Sequence, residues 1–166
     1  MRVMKSVRKG PMVLMLLSGA LLAAGAAHAE KEAKVPELTE EKKKICDEAE
    51  KRYQKVYGHP SDSLKEKGIM VVKMYKYTFC PIQVKVRPGT VVRWVNVDKR
   101  TSHSVWFRES GKEESERIFP DPEEKVEMKF DLPPGEYPYL CGPHWQTEGM
   151  IGKVIVDPKA GCCPPK

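Results

Sequence analysis

The sequence lacks a hydrophobic run of the length that a membrane span needs. Its longest apolar segment, from Pro11 to Ala27, is interrupted by serine and glycine, and a transmembrane helix takes about 20 consecutive apolar residues. Basic residues precede this segment, and Ala27-His28-Ala29 follows it as a small-x-small cleavage signal. This pattern is typical of a secretory signal peptide. We therefore predict that residues 1–29 are a signal peptide, cleaved after Ala29, and that the protein is exported to the periplasm.

A concentrated basic stripe is also missing. The formal net charge is +6, but residues 1–29 hold four basic residues and no acidic one, so cleavage would lower the charge to +2. The one basic cluster that remains, Lys42-Lys43-Lys44, has acidic neighbours. Nucleic-acid binding, which needs a basic face, is therefore not expected. The remaining length fits one domain.

Cysteine is scarce, with five residues in the chain. An exported protein meets an oxidising environment, in which disulfides form and persist. Cys141 is a candidate metal ligand and would stay reduced. The other four cysteines could form two disulfides, but four cysteines allow three pairings and the sequence does not choose among them. These four are Cys46, Cys80, Cys162 and Cys163.

Helical periodicity is confined to one segment, from Thr39 to Tyr57. Apolar residues recur there at the spacing of one helical face, Thr39 can act as the N-cap, and Gly58 can end the helix. We predict one amphipathic helix packed on the main domain, with a partner-binding helix as the alternative. The polar stretch from His59 to Gly68 is predicted to be a linker.

From Ile69 onward the helical pattern is absent, and seven short segments rich in β-branched and aromatic residues follow one another. Closely spaced strands without intervening helices predict an antiparallel β-sandwich rather than a parallel α/β sheet. The charged stretch from Glu109 to Glu124 is predicted to be a solvated loop. The predicted strands are Ile69 to Tyr77, Ile82 to Val86, Thr90 to Val97, His103 to Arg108, Lys125 to Leu132, Tyr137 to Cys141 and Gly152 to Val156.

Histidine is scarce, and only three of its four residues lie beyond the predicted signal peptide. Two of them accompany sulfur ligands. Cys141, His144 and Met150 fall within the stretch CGPHWQTEGM, and His103 lies upstream in TSHSVWF. A thiolate, two imidazoles and a thioether are the ligands of trigonal electron-transfer copper sites. His59 lies in the polar linker and is not expected to be a ligand.

The small supply of histidine and cysteine excludes several other metal proteins. Multicopper oxidases and copper nitrite reductases need further histidines for additional copper ions. A binuclear purple copper centre needs two cysteines in the ligand loop, where only Cys141 stands. Structural zinc usually takes a closed set of cysteine and histidine, without methionine.

Three stretches, TFCPIQVKVRPGTVVRWVN, TSHSVWF and PPGEYPYLCGPHWQTEGMIGKVIV, together resemble the plastocyanin and pseudoazurin branch of the cupredoxins. The resemblance covers residues 68–158. It implies an all-β, cupredoxin-like Greek-key β-sandwich. The predicted N-terminal amphipathic helix extension over residues 30–67 and the cysteine-rich tail at residues 159–166 lie outside the usual domain of that family, so the resemblance assigns them no role. It also implies one type 1 copper that shuttles single electrons, bound by His103, Cys141, His144 and Met150.

Two departures from the family pattern concern the metal site. Five residues separate His144 from Met150, whereas plastocyanin and pseudoazurin usually have four, so the loop must bulge to deliver the thioether. Ser104 follows the first histidine at a position where the family often has asparagine. The sequence therefore does not determine which hydrogen bonds bridge the ligand loops.

These features predict an electron carrier and not an enzyme. Its partners would be redox proteins such as a c-type cytochrome or a terminal reductase or oxidase, and we expect a monomer with no nucleic acid and no membrane span after cleavage. Trp145 is expected either to dock the partner or to pack over the copper loop. One alternative is periplasmic copper storage or delivery with the same ligands, to which Cys162-Cys163 could add an exchange site. The other is a small redox enzyme in which Glu148 or water replaces Met150.

Overall fold

The computed structural model describes residues 33–163. The predicted signal peptide and the last three residues of the tail lie outside this range. No helix between residues 33 and 163 is long and apolar enough to cross a membrane.

Between residues 33 and 163, seven strands form two sheets, as a β-sandwich requires. The four-stranded sheet has the order β2-β1-β4-β5, and the three-stranded sheet has the order β3-β7-β6. The predicted all-β class is confirmed, but the expectation of antiparallel strands alone is wrong, because β1 pairs with β4 and β3 pairs with β7 in parallel. The strands are β1 (Ile69–Tyr75), β2 (Thr78–Cys80), β3 (Gln83–Val86), β4 (Val91–Asn96), β5 (Lys125–Lys129), β6 (Gly135–Leu140) and β7 (Ile151–Val156).

Three of the predicted strands are wrong in extent or in kind, and the prediction misses β2. The strand predicted from Lys125 to Leu132 ends at Lys129. The strand predicted from Ile69 to Tyr77 ends at Tyr75, because Lys76 and Tyr77 turn the chain with positive φ angles of 45° and 56°. The segment predicted as a strand from His103 to Arg108 makes only isolated bridges. Its backbone bonds first to Ile118 and then to Leu140, so it changes neighbours before a ladder can form.

Aromatic side chains fill the space between the two sheets. Trp94 of β4 packs against Phe130, which follows β5, and against Tyr139 of β6, and all three side chains are completely or almost completely buried. The alternation in β3, where Val84 and Val86 are buried and their neighbours exposed, matches the predicted period of two. Burial of these large apolar surfaces is the main force that holds the sandwich together.

Helix α1 (Glu40–Tyr57) covers the outer face of the four-stranded sheet. The Thr39 hydroxyl accepts a hydrogen bond from the Lys42 amide at the N-terminus, and Gly58 ends the helix with a φ of 75°, so both predicted caps are confirmed. Ala49 and Tyr53 pack against residues of β1 and β4. Of the two predicted roles of the helix, the structure therefore supports packing on the main domain. As a result, β1 is buried on both faces.

The segment predicted as a linker is a structured part of the protein. Residues Ser61–Lys67 form a 3-10 helix, which begins where the Ser61 hydroxyl and amide donate to the Glu50 carboxylate. The ammonium of Lys73, a buried residue of β1, lies 2.9 Å from the same carboxylate. This contact between distant residues orders the segment, and local composition does not reveal it.

Two disulfides complete the framework. Cys46 of α1 is bonded to Cys80 of β2, across 34 residues of sequence, and Cys162 is bonded to Cys163. The tail is held on the β3–β4 turn, because the Arg87 amide and the Thr90 hydroxyl donate to the carbonyls of these two cysteines. Within the described residues Cys141 is the free cysteine, as expected.

Candidate metal centre

Three predicted ligands lie together at the end of the sandwich where a loop connects β6 to β7. Cys141 directly follows β6, His144 lies in the loop between β6 and β7, and His103 lies in the segment after β4. The ligand atoms of these three residues all lie within 4.8 Å of one another. The Cys141 Sγ is 3.3 Å from Nδ1 of His144 and 3.8 Å from Nδ1 of His103.

The ligand set is buried on all but one side. His103 and Cys141 are completely buried, and Met150, just before β7, is 1% exposed. Met150 belongs to the same hydrophobic cluster as Cys141. His144 is only partly buried, so its imidazole is the part of the set that faces the surface.

The lengthened loop between Cys141 and Met150 is folded as a tight turn. The amides of His144 and Trp145 both donate to the Cys141 carbonyl, and the amides of Glu148 and Met150 both donate to the His144 carbonyl. Gly149 has a φ of 65°, a conformation that glycine adopts without steric cost. The additional residue is thus absorbed in a helix-like turn, and the Cys141 amide pairs with the Met150 carbonyl at its base.

A carboxylate fixes the orientation of the buried histidine. The Asp98 Oδ2 lies 3.0 Å from Nε2 of His103 and also accepts the Lys76 amide at 2.9 Å. When Nε2–H donates to Asp98, Nδ1 is left unprotonated and directed at Cys141. A histidine that ligates a metal commonly has this carboxylate behind it. Burial opposes the ionisation of Asp98, but the hydrogen bonds that it accepts from His103 and from the Lys76 and Lys99 amides together outweigh burial and lower its pKa.

The protonation of the other two ligands follows from their burial. Burial raises the pKa of the Cys141 thiol, although the Ser104 amide donates to Sγ and opposes this shift. Burial lowers the pKa of His144, and the neighbouring His103 lowers it further. The neutral imidazole is the form that binds metals, while a bound metal must displace the thiol proton.

Ser104, which replaces the family's asparagine, bridges the two ligand segments. Its amide lies 3.4 Å from the Cys141 Sγ. Its hydroxyl accepts the Gly142 amide at 3.0 Å and donates to the Glu114 carboxylate at 2.6 Å. Glu114 belongs to the stretch predicted to be a solvated loop, so the loop prediction misses one acidic residue that reaches the site.

Tyr77 is a second residue that the sequence did not single out. Its ring meets the His144 ring edge-on, with centroids 4.9 Å apart, and lies 6.3 Å from the His103 ring. The side chain is 41% exposed. Tyr77 therefore stands at the rim of the site, beside the histidine that reaches the surface.

Trp145 packs rather than projects. It is 7% exposed and lies against Leu140 and Ile151, with the partly buried Val35 beside it. The guanidinium of Arg108 lies 5.2 Å from the centroid of its ring. Of the two expected roles, the structure supports packing over the ligand loop.

The residues present fit a copper ion by the chemistry of their donors. A thiolate and two imidazoles converge in a buried pocket, with a thioether-bearing residue in the same cluster, and this combination of soft and borderline ligands suits copper. The chain offers no second cysteine within this loop.

Comparison with known proteins agrees with the geometry. A sequence profile of the copper binding proteins of the plastocyanin/azurin family matches residues 66–157, more than half of the chain. A plastocyanin from Synechococcus is 36% identical over 86 residues, which cover 46% of this chain and 62% of that relative. Amicyanin-alpha from Methylorubrum extorquens is 32% identical over 92 residues, which cover 54% of this chain and 73% of the relative.

Among solved structures, the crystal structure of amicyanin from Paracoccus versutus is similar at 27% identity and a TM-score of 0.47. The alignment covers 61% of this chain and 88% of amicyanin. The family assignment rests on the sequence profile, which spans both ligand segments from β1 to β7. The chain therefore belongs to the plastocyanin/azurin family of copper-binding proteins and has the cupredoxin fold.

Proposed function

We propose that this protein is a single-electron carrier with one type 1 copper, bound by His103, Cys141, His144 and Met150. The observation that carries the proposal is the convergence of the two imidazoles and the thiol within 4.8 Å of one another. The burial of Met150 beside Cys141 supports the thioether as the fourth ligand, whereas Glu148 is exposed. Bound copper would supply the one-electron Cu(I)/Cu(II) couple.

The contribution of the protein is a site that is already formed. Cys141 and Met150 adjoin β6 and β7, whose backbones pair along their whole length, and Asp98 holds the His103 ring. Pro143 has no amide hydrogen and cannot donate to the thiolate. Ligands held in this way change little between the two oxidation states, which keeps the reorganisation that accompanies electron transfer small.

Electrons would enter and leave through His144. It is the partly exposed member of the set, and the Tyr77 ring lies 4.9 Å from it. The partners would be redox proteins, such as a c-type cytochrome or a terminal reductase or oxidase. A partner that contacts Tyr77 would bring its own redox centre close to the His144 ring.

Export to the periplasm completes the proposal. The signal-like residues 1–29 and the two disulfides both support an oxidising compartment. We assign residues 68–158 to the copper domain, residues 30–67 to a helical extension and residues 159–166 to the tail. The disulfide between Cys46 and Cys80 supports a structural role for the extension, since it ties the helix to the sheet.

The two alternatives receive less support. Storage or delivery would use Cys162 and Cys163 as an exchange site, but these cysteines are bonded to each other and held on the β3–β4 turn. A redox enzyme would need an open copper position, and the buried Met150 disfavours one.

Voltammetry of the copper-loaded protein, combined with a chelator challenge, tests the carrier function. We expect a reversible one-electron wave and retention of copper in both oxidation states. An irreversible wave, or rapid transfer of copper(I) to a chelator, would contradict a carrier and favour delivery.

A further inference from the structure

The Ser104 hydroxyl has two acceptors within reach but only one hydrogen to donate. Its oxygen lies 2.6 Å from the Glu114 carboxylate and 3.9 Å from the Cys141 Sγ. A short bond to a charged acceptor is much stronger than a long bond to sulfur. The hydroxyl hydrogen therefore points to Glu114 and away from the thiol.

The same hydroxyl accepts the amide of the residue that follows the cysteine ligand. The Gly142 amide lies 3.0 Å from the Ser104 oxygen. Because Glu114 takes the hydrogen, the lone pairs of the oxygen remain directed at Gly142. The carboxylate, the hydroxyl and the amide thus form one relay from the loop surface to the ligand segment.

The packing at Gly142 shows how closely Glu114 approaches this segment. A Cβ atom added at Gly142 would overlap the carboxylate of Glu114. Because glycine has no Cβ, the Glu114 carboxylate can lie against the backbone of Gly142, the residue that follows Cys141. The Glu114 carboxylate thus borders the site, although the residue as a whole is exposed, like most of its loop.

We propose that Glu114 is a positioning residue that tunes the metal centre through Ser104. It holds the Ser104 hydroxyl on the Gly142 amide and keeps its hydrogen off the Cys141 sulfur. The number of donors to a metal-bound sulfur is one of the factors that set its reduction potential. The inference rests on the proposed copper site, and it assigns a tuning role to a residue that does not touch the metal.

Three variants separate the hydrogen bond from the charge. Glu114→Ala removes both, Glu114→Gln keeps an acceptor oxygen but removes the charge, and Glu113→Ala removes an equal charge from the same exposed loop. The readouts are the energy of the thiolate-to-copper absorption band and the reduction potential. Glu114→Ala should shift the band to higher energy and raise the potential more than Glu113→Ala does, while Glu114→Gln should leave the band in place.

A double-mutant cycle tests whether the effect passes through Ser104. In a Ser104→Ala background no hydroxyl is left to turn toward the sulfur, so Glu114→Ala should no longer shift the band. The same band shift with and without the hydroxyl would overturn the relay. If Glu114→Ala and Glu113→Ala changed the band and the potential equally, Glu114 would act only as a surface charge, and the relay would again be overturned.

Amide hydrogen exchange at Gly142 in the metal-free protein tests the contact without copper. Loss of Glu114 should weaken the acceptor and speed exchange at Gly142, by less than the roughly fivefold that complete loss of one hydrogen bond gives. Glu113→Ala should leave the exchange rate unchanged. A copper-loaded protein without a thiolate-to-copper band would contradict the proposed function. An unchanged exchange rate at Gly142 in Glu114→Ala would contradict the relay alone.

Discussion

The Asp98 Oδ2 lies 3.0 Å from Nε2 of His103, an imidazole with no exposed surface. The same oxygen accepts the Lys76 amide at 2.9 Å. One carboxylate therefore fixes a buried ligand and the turn that presents Tyr77 at the rim of the site. The buried and the exposed sides of the metal centre are linked through this atom.

Replacement of Asp98 by asparagine should weaken copper binding about 10- to 100-fold, the usual cost of losing the group behind a ligating histidine. The amide can no longer hold the His103 ring as a charged acceptor does. Competition titration with a copper chelator measures the affinity. Asp131→Asn, on an exposed carboxylate paired with Lys129, is the control, and an equal affinity in both variants would contradict a role for Asp98.

Met150 should act as the axial ligand, although the loop before it is one residue longer than usual. Met150→Leu keeps the apolar volume but removes the sulfur, and copper(I) tolerates the loss of a ligand better than copper(II). The reduction potential should therefore rise by more than about 59 mV, a tenfold change in relative affinity for the two oxidation states. Met128→Leu, on β5, is the control. A potential within error of the wild type would remove Met150 from the ligand set.

Tyr77 should lie in the contact through which electrons pass. Electron self-exchange, measured by NMR line broadening of mixed oxidation states, needs no identified partner because two copies of the chain meet. Tyr77→Lys places like charges opposite each other at that contact and should slow self-exchange at least about tenfold.

The control for Tyr77 is Val56→Lys, which adds the same charge at an exposed position of helix α1. It should have little effect on self-exchange. Equal slowing by both variants would indicate general charge repulsion and would rule out a contact at Tyr77.

The Glu50 carboxylate should make the protein lose stability in acid. Burial opposes its ionisation, but hydrogen bonds from Ser61 and Lys73 outweigh this effect and lower its pKa to about 2. Because the pKa is lower in the folded state, this stabilisation is fully present above the ordinary value of 4.5. It disappears as the pH falls from there toward 2.

Urea unfolding of Glu50→Gln between pH 5 and 2 checks this expectation. The variant should be less stable than the wild type at pH 5, and the difference should shrink as the pH falls. Glu41→Gln, in the exposed first turn of α1, is the control. A stability difference that stays constant with pH would contradict the assignment to Glu50.

The sandwich and the grouping of the candidate ligands His103, Cys141 and His144 could be predicted because their signals are local. Alternation in β3 and the sulfur and histidine ligands of the β6–β7 loop are visible in short stretches of sequence. The turn at Lys76 and Tyr77 was not predicted, because neither residue is a typical turn former. Its positive φ angles are stabilised by Asp98, which is 22 residues away in sequence.

The same reason explains the other errors. The segment that begins at Ser61 has the polar composition of a linker. It forms a 3-10 helix because Glu50, in another helix, accepts hydrogen bonds from the Ser61 hydroxyl and amide. Glu114 lies among several acidic residues, and composition does not tell which of them folds back on Ser104. Contacts between distant residues determine both outcomes.

The absorption and electron spin resonance spectra of the copper-loaded protein test the central claim most directly. A thiolate and two imidazoles around one copper predict an intense thiolate-to-copper(II) band and a small hyperfine splitting, both lost in Cys141→Ser. A spectrum without the intense band, or with the large splitting of a copper site that lacks a thiolate ligand, would contradict a type 1 centre.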